Sequence, residues 1–297
     1  MKRNCPKKSC KSNHIVKNGQ FFRANDSRKI QRFLCRSCGK QFSQSTGTLE
    51  FGQKKRRVNH ELFKLFTAKV SIRRAAIIVG VNKNTAARKF DYLCERSNVR
   101  NELFRRKLTQ NKVTHMQFDD QITKEKTKLK PLSISVAMDV NRRYILGAKV
   151  SQIPAFGHLA RRSRKKYGKR YSNHREKLDE LFKEIKDSIS PNAIIESDEH
   201  KNYLPAVRKH FKSADYKQYK SEKGCIAGQG ELKKVRHDPI FGIDHTLAIL
   251  RDNISTLVRR TWCTTQDPRR LQGHLEMFIC FYNQYYLPRI QARLSSA

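Results

Sequence analysis

Four cysteines near the start of the chain have the spacing of a metal site. Cys5 and Cys10 enclose four residues, Cys35 and Cys38 enclose two, and 24 residues separate the two pairs. Two such loops can place four thiolates at the corners of a tetrahedron, about 2.3 Å from a Zn²⁺ ion. Residues 1–50 are too polar to fold by hydrophobic burial alone, so we expect structural zinc to stabilise them as a small zinc ribbon. The alternative is that these cysteines are buried without a metal.

Two aspartates at predicted strand ends are the candidates for catalysis. Residues 113–118 are predicted to form a strand that leads into Asp119, and the apolar pair at 194–195 leads to Asp198. Both carboxylates can therefore lie at neighbouring strand edges, where they would bind Mg²⁺. Two such ions, about 3.5–4 Å apart, can clamp the attacking and leaving oxygens of a phosphodiester displacement. The alternative is that both are surface acids paired with the many lysines and arginines.

The charge of the chain predicts a polyanionic partner. Lys and Arg number 64 against 26 Asp and Glu, a formal net charge of +38 over 297 residues. Self-repulsion of this size is tolerable mainly beside DNA or RNA. Membrane attraction is the competing interpretation, but no stretch approaches about 18 uncharged apolar residues, and the first residues lack the apolar core of a signal peptide. We therefore expect an intracellular protein without a membrane partner.

Residues 56–97 have the apolar spacing of helices interrupted by a turn. One apolar stripe includes Leu62 and Phe66, a second ends at Gly80, and a third continues to Leu93. This pattern predicts a helix-turn-helix, although packing within a helical bundle would give similar spacing. The second helix would present five side chains to a DNA major groove, namely Asn82, Lys83, Asn84, Thr85 and Arg88. Residues 98–112 are charged and weakly periodic, and we predict that they form a linker.

The rest of the chain, residues 113–290, is predicted to be an α/β (α+β) domain. Strands with a period of two come first, and helices alternating with strands follow. A Gly- and Lys-rich loop precedes a long helix predicted from about residue 239 to 260, which carries Arg251, Arg259 and Arg260. These three arginines could contact DNA phosphates or lie on a solvated face. Residues 161–170, of which seven are Lys or Arg, are expected to follow a DNA backbone.

Several motifs, in this order, resemble those of the transposases of insertion-sequence-one type elements. The resemblance covers about residues 5–285 and is specific in the order and spacing of the motifs together. The motifs are CRSCGK at 35–40, QFDD at 117–120 followed by KLKP at 128–131, ESDEH at 196–200, GQGELK at 228–233, and RDN at 251–253 before RRTWCTT at 259–265.

The resemblance implies a ribonuclease-H-like catalytic domain with an acidic DDE triad. With Mg²⁺, such an enzyme cuts the ends of its element and joins them to target DNA. Asp119 and Asp198 match the first two acids by position. Two residues are alternatives for the third acid. Glu231 lies 33 residues beyond Asp198 and is slightly preferred. Asp244 lies on the predicted helix, but its side chain is one methylene shorter than that of glutamate.

The partners implied are double-stranded DNA, both terminal inverted repeats and target, and further copies of the chain. Because two element ends must be joined, a homodimer or larger assembly is expected. The implied location is the cytoplasm, in association with the nucleoid. The alternative function is a regulator derived from a transposase, which binds DNA through the zinc ribbon and helix-turn-helix and does not cut it. An enzyme needs three converging carboxylates, whereas a regulator does not.

Overall fold

The chain folds as a mixed α/β protein. The computed structural model describes residues 3–24, 27–220, 223–226, 230–233, 238–258 and 263–294, without the side chains of 223–226, 230–233 and Leu294. Over these ranges, no helix combines the length and the apolar character needed to cross a membrane.

A small antiparallel sheet follows the first two cysteines. Its strands are β1 (Ile15–Arg23), β2 (Arg28–Cys35) and β3 (Gln41–Ser43), in that order across the sheet. Phe33 is buried, and its ring lies 5.7 Å from that of Phe42. Most other residues of the sheet are exposed or half-buried. The sheet therefore has little apolar core of its own.

Three helices come next, and side chains cap the N-termini of the second and the third. They are α1 (Asn59–Thr67, after a 3₁₀ turn at Arg56–Val58), α2 (Ile72–Ile78) and α3 (Lys83–Leu108). Ser71 accepts a hydrogen bond from the backbone N–H of Arg74 at the start of α2, and Asn82 accepts one from that of Asn84 at the start of α3. Gly80, with φ +66°, forms the turn between them. This φ is costly for residues with a Cβ.

Residues 98–112, predicted as a linker, are mostly helical. The helix α3 continues to Leu108, and the side chains of Asn101 and Arg105 are buried. Asn101 Nδ2 donates to the backbone oxygen of Glu276 at 2.9 Å and to its carboxylate at 2.7 Å. The charged pattern therefore belongs to a helix that packs against a distant part of the chain.

A five-stranded mixed sheet lies at the centre of the remaining chain. Its strands are β4 (Val113–Lys124), β5 (Pro131–Asp139), β6 (Ile145–Gln152), β7 (Ile189–Asp198) and β8 (Asp215–Tyr219). Their order is β6-β5-β4-β7-β8. The strands β4, β5 and β6 pair antiparallel with one another, whereas β7 runs parallel to β4 and β8 parallel to β7.

Helices cover both faces of this sheet. The elements between β6 and the hairpin are α4 (Leu159–Tyr167), α5 (His174–Ile185, followed by a 3₁₀ turn at Lys186–Ser188) and α6 (Tyr203–His210). The hairpin β9 (Lys223–Ile226) and β10 (Gly230–Lys233) precedes α7 (Phe241–Asn253), α8 (Pro268–Phe281), a π turn (Tyr282–Tyr286) and α9 (Leu287–Leu294). Helices α5 and α6 share one core with the sheet, and α7 and α8 share the other.

The helix α8 also packs against α1–α3. Its Met277 and Cys280 belong to the same core as Leu62 and Phe90. Gly273 permits the close approach of α8 to α3, since a Cβ there would lie 2.8 Å from the Cβ of Cys94. The helical region and the mixed sheet are therefore joined through α8.

Three predicted boundaries differ from the structure. The strand β4 does not end at Asp119 but pairs with β5 as far as Lys124. The loop predicted before α7 contains β9 and β10. The helix α7 ends at Asn253, not near residue 260, and Asn253 Nδ2 donates to the carbonyl oxygen of Ile249 at 2.9 Å. Such a side-chain bond to the backbone is typical of a helix end.

Candidate functional site

The four N-terminal cysteines form a cluster with the dimensions of a metal site. Their sulfur atoms all lie within 4.8 Å of one another. Sγ of Cys5 is 3.6 Å from that of Cys38, and Sγ of Cys10 is 3.7 Å from that of Cys35. Thiolates about 2.3 Å from a tetrahedral Zn²⁺ ion are about 3.8 Å apart, so the cluster is compatible with structural zinc. The predicted ligand set is thus brought together.

The thiols of this cluster differ in acidity. Burial raises the pKa of Cys5 to about 12. Burial also opposes the ionisation of Cys35, but backbone N–H groups of Cys38 and Ser37 lower the pKa of that thiol to about 6. Such backbone hydrogen bonds favour the thiolate, which is the form of cysteine that binds a metal cation.

Asp119 and Asp198 lie near each other on neighbouring parallel strands, since the charge of Asp198 acts on Asp119. Gln117 of β4 is paired in register with Glu196 of β7, and the two aspartates follow two residues later on each strand. Residues two apart on a strand share a face, and neighbouring strands are about 4.8 Å apart. This face is the one that α7 covers, because the Gln117 side chain reaches the carbonyl oxygen of Pro239 at 2.8 Å.

The surroundings of Asp119 disfavour its negative charge. It is only 7% exposed. Burial is the largest cause, and together with the negative charges of Asp198, Asp120 and Asp244 it raises the pKa of Asp119 to about 8. A hydrogen bond from the backbone N–H of Asp120 acts in the opposite direction. Asp244 lies half-buried in the first turn of α7. A cation between these oxygens would relieve both the burial and the repulsion.

The third acid is not determined by the described side chains. Glu231 lies on β10, and its side chain is outside the described residues. Asp244 is close enough to Asp119 to influence its ionisation. In the part of the chain with described side chains, the cysteine cluster is the only set of three or more ligand atoms within 4.8 Å of one another. Asp119, Asp198 and Asp244 therefore do not reach that spacing as a set.

Glu196, the first residue of the ESDEH motif, was not predicted as a site residue, but it is buried on the same strand as Asp198. Glu196 Oε2 is 2.7 Å from His115 Nε2 and accepts from Gln117 Nε2 at 2.8 Å, and its Oε1 accepts from the Tyr219 hydroxyl at 2.8 Å. Burial opposes its ionisation, but these hydrogen bonds lower the pKa of Glu196 overall. This carboxylate therefore connects β4, β7 and β8, and both of its oxygens already have hydrogen-bond partners.

Asp120, next to Asp119, points to the opposite face of the sheet. Its carboxylate accepts hydrogen bonds from Ser135 Oγ and from His174 Nε2, and His174 Nδ1 accepts from Asn202 at 3.0 Å. Burial opposes ionisation, yet the His174 bond lowers the pKa of Asp120. Asp120 therefore anchors α5 to β4 and is separate from the Asp119 side.

The predicted DNA contacts lie in different settings. Asn82, Lys83, Asn84 and Arg88 are exposed at the start of α3, where Thr85 is half-buried. Arg251 is half-buried in the last turn of α7, and Arg259 and Arg260 lie outside the described residues. In the basic run at 161–170, most of which forms α4, the side chain of Arg170 is only 10% exposed and pairs with Glu125.

Comparison with models of known protein families finds no match for this chain, and a search of curated proteins finds none either.

Proposed function

We propose that this protein is a DDE-type DNA transposase that binds the ends of its own element, cuts them and joins them to target DNA. The observation that carries the proposal is the closeness of Asp119 and Asp198, each two residues beyond the register pair Gln117–Glu196 of two parallel strands. The charges of Asp198 and of Asp244 on α7 both act on Asp119. Burial and mutual repulsion make such a group of acids costly, and a bound cation would remove this cost.

The finer assignments of fold are part of this proposal. The cysteine cluster and its small sheet support a zinc ribbon, and α2, the turn at Gly80 and α3 support a helix-turn-helix. Three antiparallel strands followed by two parallel ones, with helices on both faces, support a ribonuclease-H-like domain. The motifs at 117–120 and 196–200 supply the two central acids of that domain.

The acids have the chemistry that Mg²⁺ requires. They offer hard oxygen ligands, and the raised pKa of Asp119 marks a carboxylate that lacks a compensating positive charge. Asp119 and Asp198 would hold the ions, with Glu231 or Asp244 completing the site. When bound, a pair of Mg²⁺ ions would activate a water molecule or a DNA 3′-hydroxyl as the nucleophile and would stabilise the leaving oxygen of the phosphodiester.

The chain's own residues supply position and exclusion of water. The parallel pairing of β4 and β7 sets the separation of the two aspartates. Burial of Asp119 keeps water from one side of the site, which strengthens electrostatic interactions there. The excess of lysine and arginine draws the phosphate backbone towards these acids.

The test is the substitution Asp198→Asn, with Asp187→Asn as a charge-matched control at an exposed position. The substrate is a supercoiled plasmid carrying the two DNA segments that flank the gene, in the presence of Mg²⁺. We expect Asp198→Asn to lower the nicking rate by more than about 100-fold, since even supporting residues of metal sites contribute 10–100-fold. Binding of the flanking segments should stay unchanged, and nicking by Asp198→Asn at the control rate would refute the proposal.

The second candidate is a regulator that binds DNA without cutting it. One observation favours it: in the part of the chain with described side chains, no three carboxylates have oxygens within 4.8 Å of one another. A regulator would bind the same DNA segments equally well with or without Mg²⁺, and the wild-type chain would leave the plasmid intact.

A further inference from the structure

A cavity of about 530 Å³ lies between the N-terminal sheet and the helices, lined by residues of the β1–β2 hairpin, of the segment at 50–60 and of α3, and by Tyr285. Six arginines line it, namely Arg23, Arg28, Arg56, Arg57, Arg96 and Arg100. None of them belongs to the acid site or to the residues predicted to enter a major groove.

The positive charge of this cavity is poorly compensated. Among the described residues that line it, Glu50 is the only carboxylate, so the five guanidinium groups other than that of Arg23 leave a formal charge of +4. The Glu50 oxygens lie 3.9 Å from both Arg56 and Arg96, and the Glu50 side chain is 50% exposed. Ion pairs this long and exposed stabilise little. The cavity therefore keeps a strong attraction for anions.

Neutral groups hold two of the arginines in place. Arg56 Nε donates to the carbonyl oxygen of Gln53 at 3.2 Å, and its Nη2 donates to that of Glu50. Arg100 Nη1 donates to the hydroxyl of Tyr285 at 3.0 Å. These acceptors orient the guanidinium groups without cancelling their charge. Arginines fixed in this way are suited to the oxygens of a phosphate group.

A further cation lies beneath the same segment. The buried Lys89 donates through Nζ to Gln53 Oε1 at 2.7 Å and to the carbonyl oxygen of Lys54 at 2.5 Å. Both acceptors are neutral oxygens, so neither bond cancels the positive charge of this ammonium group. Arg56 is near enough for its charge to act on Lys89.

One polar side chain of the cavity lining is itself buried. Asn59 lines the cavity and is 9% exposed, and within the described residues its Oδ1 has no hydrogen-bond partner. A buried amide without a partner costs free energy.

From these features we infer that the cavity is a phosphate-binding site that grips the backbone of duplex DNA. The inference rests on the proposed function insofar as the chain handles DNA, and it adds a second place of contact on α3. Arg96 and Arg100 follow Asn84 by 12 and 16 residues, which is about 18 and 24 Å along a helix. One turn of B-DNA is about 34 Å long, so a duplex at the start of α3 can also reach the cavity.

The experiment measures binding of the full chain, zinc-loaded and without Mg²⁺, to a labelled duplex of random sequence at several KCl concentrations. The variant is Arg57→Gln with Arg96→Gln. The control, Lys183→Gln with Lys186→Gln, removes two charges from exposed positions on α5 and on the 3₁₀ turn after it, neither of which lines the cavity. Each phosphate contact makes the negative slope of log K against log salt steeper by about 0.9. We therefore expect the magnitude of this slope to be smaller by about 2 in the variant. The control should match the wild type.

A charge-retaining variant and a free-ligand titration complete the experiment. The variant Arg57→Lys with Arg96→Lys retains the charge and should retain most of the slope. A loss as large as that of the glutamine variant would show that the slope does not depend on these two charges, and would overturn the inference. Titration with inorganic pyrophosphate separates a free ligand from a backbone. If the glutamine variant loses pyrophosphate binding while its duplex slope is unchanged, the backbone assignment is wrong. Since no arm requires nicking, a chain that binds in this way but never cuts DNA would refute only the proposed enzyme.

Discussion

Gln117 of β4 accepts, through Oε1, a hydrogen bond from the backbone N–H of Ile243 in the first turn of α7, at 3.0 Å. The amide nitrogen of the same side chain donates to the carbonyl oxygen of Pro239 and to Glu196, each at 2.8 Å. Asp244 follows Ile243 directly. One buried side chain therefore fixes the start of α7, and with it Asp244, against the strands that carry Asp119 and Asp198.

Gly242 makes this contact possible, and Gly242→Ala should disrupt it. A Cβ at this position would lie 2.6 Å from Gln117 Oε1. We expect α7 to move away from the sheet and the Mg²⁺-dependent nicking rate to fall by about tenfold or more, because displacements of about 1 Å can cost 10²-fold. Nicking is measured on the plasmid substrate described above, and duplex binding should be unchanged.

The matched control is Gly273→Ala. It also adds a methyl group at a tight helical glycine, 2.8 Å from Cys94, but on α8 and against α3. Both variants should unfold at lower urea concentration, whereas only Gly242→Ala should slow nicking of the folded chain. Equal rates for the two variants would show that α7 does not position the reacting groups.

Local periodicity was sufficient to predict much of the fold. Alternation of apolar residues at 132–138 predicted the strand that is β5. Helical spacing of apolar residues at 178–189 predicted a helix where α5 lies, although Ile189 begins β7. The closeness of Asp119 and Asp198 could be anticipated because each follows an apolar strand segment. The cysteine cluster followed from its spacing alone.

Contacts between distant residues were not predictable in this way. The end of α3 depends on the bonds from Asn101 to Glu276, 175 positions away, so its charged surface was mistaken for a linker. The tether from Gln117 to Ile243 spans 126 positions. Its only local signal is a glutamine inside an otherwise apolar strand, which does not reveal its partner.

Zinc should be required for folding of the N-terminal sheet but not of the rest. The sheet buries few apolar side chains, whereas the cysteines bring four sulfurs within 4.8 Å. We expect about one zinc ion per chain by elemental analysis. Cys35→Ser should lose this zinc and become sensitive to protease within residues 3–48, while Cys263→Ser should behave as wild type. A purified chain without metal but with the wild-type protease pattern would contradict this prediction.

Asn283 should contribute strongly to stability through the edge strand β6. Its side chain accepts from the backbone N–H of Ile145 at 3.0 Å and donates to the carbonyl oxygen of the same residue at 2.8 Å. Asn283→Ala would leave two buried backbone groups without partners, at a cost of about 1–3 kcal/mol each. We therefore expect the free energy of unfolding in urea to fall by about 2–5 kcal/mol. Asn192→Ala, at an exposed position on β7, should change it by less than about 0.5 kcal/mol.

The buried His274 should make the chain less stable at acidic pH. Burial lowers its pKa, against a smaller effect of the hydrogen bond from Nε2 to the Phe66 carbonyl oxygen at 2.9 Å. As pH falls below about 6.5, the unfolded chain takes up a proton at this residue that the folded chain does not. This histidine should therefore lower the free energy of unfolding by about 1.4 kcal/mol per pH unit in that range, and contribute no slope above about pH 7.

The measurement for His274 is urea unfolding from about pH 5 to 8, with zinc present throughout. His274→Gln keeps an N–H donor for Phe66 but cannot take up the proton. Its stability relative to wild type should therefore rise as the pH falls. His158→Gln, at an exposed position, should run parallel to wild type. A constant difference between His274→Gln and wild type at all pH values would mean that this histidine does not titrate on unfolding.

Asn84 and Arg88 should read DNA sequence, in contrast to the arginine cavity. Both are exposed at the start of α3 and lie one helical turn apart, so their side chains share a face. The probe is the duplex that the wild type enriches from a random pool. Asn84→Ala and Arg88→Ala should each weaken binding to it by about 1–3 kcal/mol, while binding to random duplex stays near wild type. Arg106→Ala, exposed at the other end of the same helix, should affect neither. If both substitutions weakened random duplex equally, these side chains would be contacts to phosphate, and the start of α3 would not lie in a major groove.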